Sequence, residues 1–134
     1  MVKIIFVEGN IGTGKSTFLS QVEKHIPNSC VIYEPLDVWT KFTDENGKNI
    51  LQNFYEDSKR FAYTFQTLAF LSRVERMRTT DYQKYDYVFI ERSIFSDREI
   101  FAKNCYLSGL LTELEWKLYN AWFAWVDPPV EKRA

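Results

Sequence analysis

Residues 9–16, Gly-Asn-Ile-Gly-Thr-Gly-Lys-Ser, constrain the fold of this chain more than any other stretch. They fit the spacing G-x-x-x-x-G-K-[ST] without a gap. A short apolar run precedes them and an apolar-periodic segment follows, which is the strand, turn and helix context that a phosphate-binding loop requires. Gly9, Gly12 and Gly14 let the backbone curl until successive N–H groups point into one concavity that a Cβ would obstruct. A helix starting near Lys15 aims its unpaired N–H groups and positive dipole end at the same spot. Lys15 adds a full charge for the β- and γ-phosphates, and the Ser16 hydroxyl can ligate Mg²⁺. The loop therefore implies a nucleoside triphosphate ligand, with Gly9, Asn10, Ile11, Gly12, Thr13, Gly14, Lys15, Ser16 and Thr17 as its binding residues. On this reading, losing Lys15 abolishes phosphoryl transfer and leaves the fold intact.

Three apolar runs read as buried parallel strands: Lys3–Val7, Cys30–Tyr33 and Tyr87–Ile90. Each exits into polar residues, Glu8-Gly9, Glu34-Pro35 and Glu91-Arg92-Ser93. In an open α/β sheet ligands collect beyond the carboxyl ends of the strands, so the three exits converge on one crevice. Helical patterns cover Lys15–His25, Asn46–Tyr55, Lys59–Arg78, Phe95–Leu107 and Leu114–Val126. The last begins with a capping box, Thr112 and Glu115. No repeat or linker divides the 134 residues, so positions 1–134 read as a single α/β domain.

Composition narrows the partners. A formal net charge of −1 without any basic block argues against a polynucleotide groove. Cys30 and Cys105 are the only two cysteines and lie far apart, which suggests neither a disulfide framework nor a zinc site. No apolar run has the form of a signal peptide or the length of a bilayer span. The expectation is a cytoplasmic protein in a reducing setting, with no nucleic acid and no membrane among its partners.

The segment "FAYTFQTLAFLSRVE" is mostly apolar and aromatic, as a buried helix should be. Yet Gln66 and Arg73 lie seven apart on one of its faces, with the small Ala69 between them. A buried amide beside a buried guanidinium is costly unless something pairs with them. Gln offers a donor and an acceptor side by side, the geometry that reads the edge of a base; the alternative is that both side chains reach solvent. Glu34 leaves the second strand and can take the proton of a hydroxyl attacking a γ-phosphate, or be a surface charge. Trp39, five residues on, can wall a sugar or base by stacking. Glu91 can hold Mg²⁺ or its waters while Arg92 neutralises charge growing on a transferred phosphoryl group, or the two can form a structural ion pair.

Together these stretches resemble the deoxynucleoside kinases of the deoxycytidine/deoxyguanosine kinase and insect-type multisubstrate group. The matching pieces are "GNIGTGKST", "YEPLDVW", "FYEDSKRFAYTFQTLAFLSR", "FIERSIFSDREIFAKN" and "ELEWKLYNAWFAWV", in the family's order. The resemblance implies a P-loop kinase fold with ATP and Mg²⁺, and a deoxynucleoside as the small-molecule acceptor, phosphorylated at its 5′-hydroxyl. It makes Glu34 the general base and Trp39 a lining of the nucleoside pocket. Tyr55 and Glu91 fall at the sugar, and Glu91 also near the metal with Ser16. Gln66 pairs with the base, with Phe65 and Phe95 beside it, and Arg92 stabilises the phosphate next to Lys15. Arg73 and Asp97 match positions where deoxycytidine and deoxyguanosine kinases carry the same residues. That favours deoxycytidine and purine deoxynucleosides over thymidine. A homodimer is left open.

The sequence departs from the family after "WVDPPVEKRA". A fourth strand, an arginine-rich lid and a fifth strand are expected to follow there, so the sequence reads either as a fragment or as a truncated product. For the part present the parallel sheet should run 2-3-1, leaving the first strand as an apolar edge. The competing readings are a truncated, catalytically weak or silent nucleotide-binding remnant and a nucleoside monophosphate kinase. "EP-x-x-x-W", "FQ" and "ERS" speak against the second. A regulatory GTPase lacks support, since no Asn-Lys-x-Asp motif is present.

Overall fold

The structure is a computed structural model that describes residues 2–9 and 14–126. The loop positions Asn10, Ile11, Gly12 and Thr13 lie outside the described residues. The elements are β1 (Lys3–Val7), α1 (Lys15–His25), β2 (Ser29–Ile32), α2 (Leu36–Lys41), α3 (Ile50–Glu56) and α4 (Ser58–Thr79). After a 3₁₀ turn at Tyr82–Lys84 come β3 (Tyr87–Glu91), α5 (Ile94–Ser96), a π-helical turn (Asp97–Ala102), α6 (Lys103–Leu107) and α7 (Glu113–Val126). The three strands pair in parallel in the order β2-β3-β1, as the sequence implies.

The central strand shows why the sheet is sandwiched. Side chains alternate faces along a strand. Phe89 packs with Leu19 and Val22 of α1 on one face. Val88 and Ile90 pack with Ile32 on the other, where Met77 of α4 joins them. A second core forms where Phe70 and Val74 of α4 meet Ile94, Ala102 and Tyr119. β1 is the sheet's edge among the described residues, and Ile4, Ile5 and Phe6 are each at least 38% exposed along it.

Local chemistry fixes the boundaries. The helix expected from Asn46 begins instead at Ile50. Asp44 accepts hydrogen bonds from the N–H groups of Asn46 and Lys48, and Gly47 sits at φ 82°, so this stretch closes as a turn. Asn49 then caps α3 through a reciprocal box with Gln52. The six-residue α2 was not anticipated; it is too short for periodicity to reveal and starts directly after Pro35. The expected capping box of α7 forms, with Thr112 and Glu115 each bonding the other's N–H.

Candidate active site

A cavity of about 380 Å³ opens between the exits of β2 and β3 and helices α3, α4 and α6. Most of its lining is apolar: Trp39, Leu51, Phe54, Phe65, Ala69, Phe101 and Leu110. The aromatic wall is ordered by edge and tilted contacts, with Phe65 5.2 Å from both Trp39 and Phe54. Trp39 is pinned from behind, its Nε1 donating to Ser72 Oγ at 2.9 Å. Tyr55 stands at the rim, 76% exposed.

Polar groups converge on this apolar chamber. Gln66, 3% exposed, donates from Nε2 to the weak acceptor Cys105 Sγ at 3.9 Å, and its Oε1 has no partner among the described residues. Arg73 donates from Nη2 to Glu34 Oε1 at 2.5 Å, while its Nε and Nη1 make no hydrogen bond there. Asp97, 2% exposed, holds Oδ1 3.6 Å from Arg73 Nε and accepts a hydrogen bond from the Tyr119 hydroxyl. Burial pushes the Asp97 carboxyl above its ordinary range, against the opposing pull of Arg73 and Tyr119. Buried amide and guanidinium groups left unpartnered in an apolar cavity are the mark of a site built for a polar ligand edge.

At the other end Arg92 links the cavity to Gly9, where the glycine-rich loop begins. Arg92 donates from Nη1 to Glu34 Oε1 at 3.0 Å and from Nε and Nη2 to the Gly9 carbonyl at 3.3 and 3.2 Å. Two guanidinium groups thus share one oxygen of Glu34. Arg92 holds φ 59°, a left-handed backbone unfavourable for so bulky a residue. Its N–H is anchored to the Val7 carbonyl at 2.9 Å. Glu8 locks the next residues, accepting from the Ser93 N–H at 3.0 Å and from the Ser96 hydroxyl.

Lys15 is not idle. Its Nζ donates to Glu91 Oε2 at 2.7 Å, and the Glu34 N–H donates to Glu91 Oε1 at 2.8 Å. Burial alone would raise the Glu91 carboxyl, but the Lys15 hydrogen bond, the Glu34 N–H and the charges of Lys15 and Arg92 outweigh it and hold it below its ordinary range. Gly14 turns at φ 83° to start α1, so Ser16 and Thr17 lie in that helix's first turn beside Lys15. Gly9, Gly14 and Lys15 line a second, open depression with Phe6, Val7, Glu8 and Phe18.

Of the residues singled out from sequence, Glu34, Trp39, Tyr55, Phe65, Gln66, Arg73, Arg92 and Asp97 meet at the one cavity. Glu91 stands just behind it, on Lys15. Phe95 does not join them: it is 47% exposed and packs against Phe123, with ring centroids 5.6 Å apart. The ring that does line the cavity is Phe101, over which Arg92 stacks at 4.9 Å. Asp97 and Phe101 share the π-helical turn, whose departure from the α-period hides the side Phe101 takes from a reading of spacing. Glu8, read from the sequence only as a strand exit, turns out to hold the Ser93 N–H and the Ser96 hydroxyl behind the site.

Comparison with known proteins follows the same lines. Residues 5–133 match the family profile described as deoxynucleoside kinase. Deoxycytidine kinase 2 of Gallus gallus is 38% identical over 139 residues, covering 91% of this chain and 52% of that protein. Deoxycytidine kinase of Homo sapiens is 36% identical over 144 residues, covering 94% and 55%. The mitochondrial deoxyguanosine kinase of Xenopus laevis is 38% identical over 147 residues, covering 98% and 56%. The chain spans about half the length of these relatives.

Proposed function

Because this chain belongs to the deoxynucleoside kinase family, we propose that it carries the nucleoside-binding half of an ATP-dependent kinase acting on the 5′-hydroxyl of deoxynucleosides. The observation that carries the reading is the trio of buried, unpartnered atoms, Gln66 Oε1 and Arg73 Nε and Nη1, in an aromatic-walled cavity. A nucleobase supplies both the flat apolar faces and the polar edge these groups lack. Gln66 pairs with that edge, and Trp39, Phe65 and Phe101 pack on the ring and sugar. Tyr55 at the rim is the sugar-facing hydroxyl.

Glu34 is the general base. Its carboxylate lies where the cavity meets the loop, and the two guanidinium groups on Oε1 fix its position. The 5′-hydroxyl proton passes to Glu34 as the oxygen attacks the γ-phosphorus of ATP, whose bond to the β–γ bridging oxygen breaks to release ADP. Arg92 and Lys15 offset charge on the transferred group. Mg²⁺ fits this setting as a guest of the nucleotide. Among the described residues no group of three His, Cys, Asp or Glu side chains can hold a metal alone. The Ser16 hydroxyl and the Glu91 carboxylate are hard oxygen donors beside Lys15, and the triphosphate supplies the rest. Bound there, the ion would screen phosphate charge.

Arg73 and Asp97 set base choice on this reading, favouring deoxycytidine and purine deoxynucleosides over thymidine because a 5-methyl group meets the charged pair unfavourably. A homodimer is part of the proposal. Leu71 of α4 and Leu118, Trp122 and Trp125 of α7 are exposed, an apolar surface that a second copy would cover. No helix of the described residues is long and apolar enough to cross a membrane, and the free thiols of Cys30 and Cys105 suit a reducing, cytoplasmic setting.

The test is Glu34→Gln in a phosphotransfer assay with ATP, Mg²⁺ and deoxycytidine. The amide keeps size and an acceptor oxygen but cannot take the proton, so kcat should fall roughly 10²- to 10⁴-fold with little change in nucleoside affinity. A variant that retains most of its kcat removes Glu34 from the reaction.

A further inference from the structure

Tyr119 lies on α7, which contributes no residue to the cavity lining. Its ring is buried in the second core, 5.6 Å from Phe70 and stacked at 6.0 Å on Trp116. Such a ring needs no hydroxyl to pack. The hydroxyl nevertheless points at the pocket's most deeply buried carboxylate, donating to Asp97 Oδ2. The other oxygen, Oδ1, is left 3.6 Å from Arg73 Nε, close enough for charge attraction and too far for a hydrogen bond. Arg73 consequently keeps Nε and Nη1 unpartnered, although a carboxylate stands beside it.

An Arg beside a buried Asp would ordinarily close into a short paired contact, because guanidinium and carboxylate match in geometry. Here Glu34 draws Arg73 Nη2 from one side at 2.5 Å, and Tyr119 holds Asp97 from the other. The pair is kept ajar. The polar wall that would meet the nucleobase then offers both donors on Arg73 and an acceptor on Asp97 Oδ1.

We propose that Tyr119 is a positioning residue for nucleoside recognition. By holding Asp97 Oδ2 it prevents the Arg73–Asp97 pair from collapsing, and so keeps the base-reading groups open. This inference rests on the nucleoside reading of the cavity and adds a residue that never touches the ligand. Asp97 starts the π-helical turn Asp97–Ala102, and Ala102 packs in the same core as Tyr119. The hydroxyl and the turn thus locate the carboxylate together.

The test is Tyr119→Phe in the full chain, which keeps the ring and removes only the oxygen. Calorimetric titration with deoxycytidine should show affinity weakened about tenfold, the size of one charge-assisted hydrogen bond. In steady state the KM for deoxycytidine should rise similarly, with kcat and the KM for ATP unchanged within about twofold. In an Asp97→Ala background the same substitution should change affinity less than twofold, because the group it acts through is gone. A Tyr119→Phe chain with lowered melting temperature but wild-type deoxycytidine affinity overturns the inference and makes the hydroxyl purely structural. Equal weakening in both backgrounds overturns it too, as does a fall in kcat at constant KM. Wild-type chain that binds no deoxynucleoside would remove the nucleoside reading, and this inference with it. Wild-type binding that Tyr119→Phe leaves untouched removes the inference alone.

Discussion

Replacing Lys15 with methionine removes the cation that would meet the nucleotide's phosphates, and from the sequence that loss leaves the fold intact. The structure gives the lysine a second partner and a different expectation. Lys15 and Glu91 form a buried pair at 2.7 Å, with side chains 9% and 8% exposed. Removing one member of a buried pair strands the other, at a cost of about 3–5 kcal/mol. Glu91 retains the Glu34 N–H at 2.8 Å and the nearby charge of Arg92, so the lower end, about 3 kcal/mol, is expected. Against a total stability of about 5–15 kcal/mol that is a large fraction. Urea denaturation at neutral pH, with the slope m held constant, reads the loss as a lower midpoint. Lys15→Met with Glu91→Gln leaves no unpaired charge, so it should recover about 2 kcal/mol of the single variant's loss. The pH dependence has a definite sign. Glu91 is lowered in the folded protein from its ordinary 4.5; its stabilisation is therefore complete above that value and lost as pH falls through the folded value. The gap between wild type and Lys15→Met should be full at pH 7 and should narrow as pH falls below that ordinary value, because protonated Glu91 no longer needs the lysine. A Lys15→Met protein with the wild-type urea midpoint, or a gap that widens as pH falls below Glu91's ordinary value, would refute the buried pair.

Replacing both Arg73 and Asp97 with small apolar residues should raise the kcat/KM ratio of thymidine to deoxycytidine; an unmoved ratio makes the pair structural. Trp122→Glu should shift the chain from dimer to monomer in analytical ultracentrifugation, and a wild type already monomeric at micromolar concentration removes the proposed interface. The half of human deoxycytidine kinase that has no counterpart in this chain, supplied in trans, should pair along the exposed Ile4–Phe6 edge and raise both solubility and activity. Unchanged sedimentation and turnover on mixing would show that the edge takes no such strand.

The strands and the loop-to-helix transition were legible because their signals are local. β1 and α1 fall at the expected residues, since apolar runs and the Gly14 turn carry their own boundaries. The seven-residue spacing put Gln66 and Arg73 on one helix face but left open whether that face met a cavity or solvent; the structure buries both. Phe95 and Phe101 could not be sorted, because the π-helical turn at Asp97–Ala102 breaks the α-period that would have assigned their faces. The pairing of Lys15 with Glu91, 76 residues apart, and of Tyr119 with Asp97 depends on packing between distant elements. No spacing rule reports such contacts.

If the cavity presents a deoxynucleoside hydroxyl to the γ-phosphate, the identity of the product decides it. The chain is incubated with ATP, Mg²⁺ and deoxycytidine, and the products are resolved by ³¹P NMR. The expected result is a new 5′-monophosphate resonance that grows with ADP and disappears in Glu34→Gln. ATP consumed with no nucleoside monophosphate formed, or phosphoryl transfer only to an added nucleoside monophosphate, would contradict it.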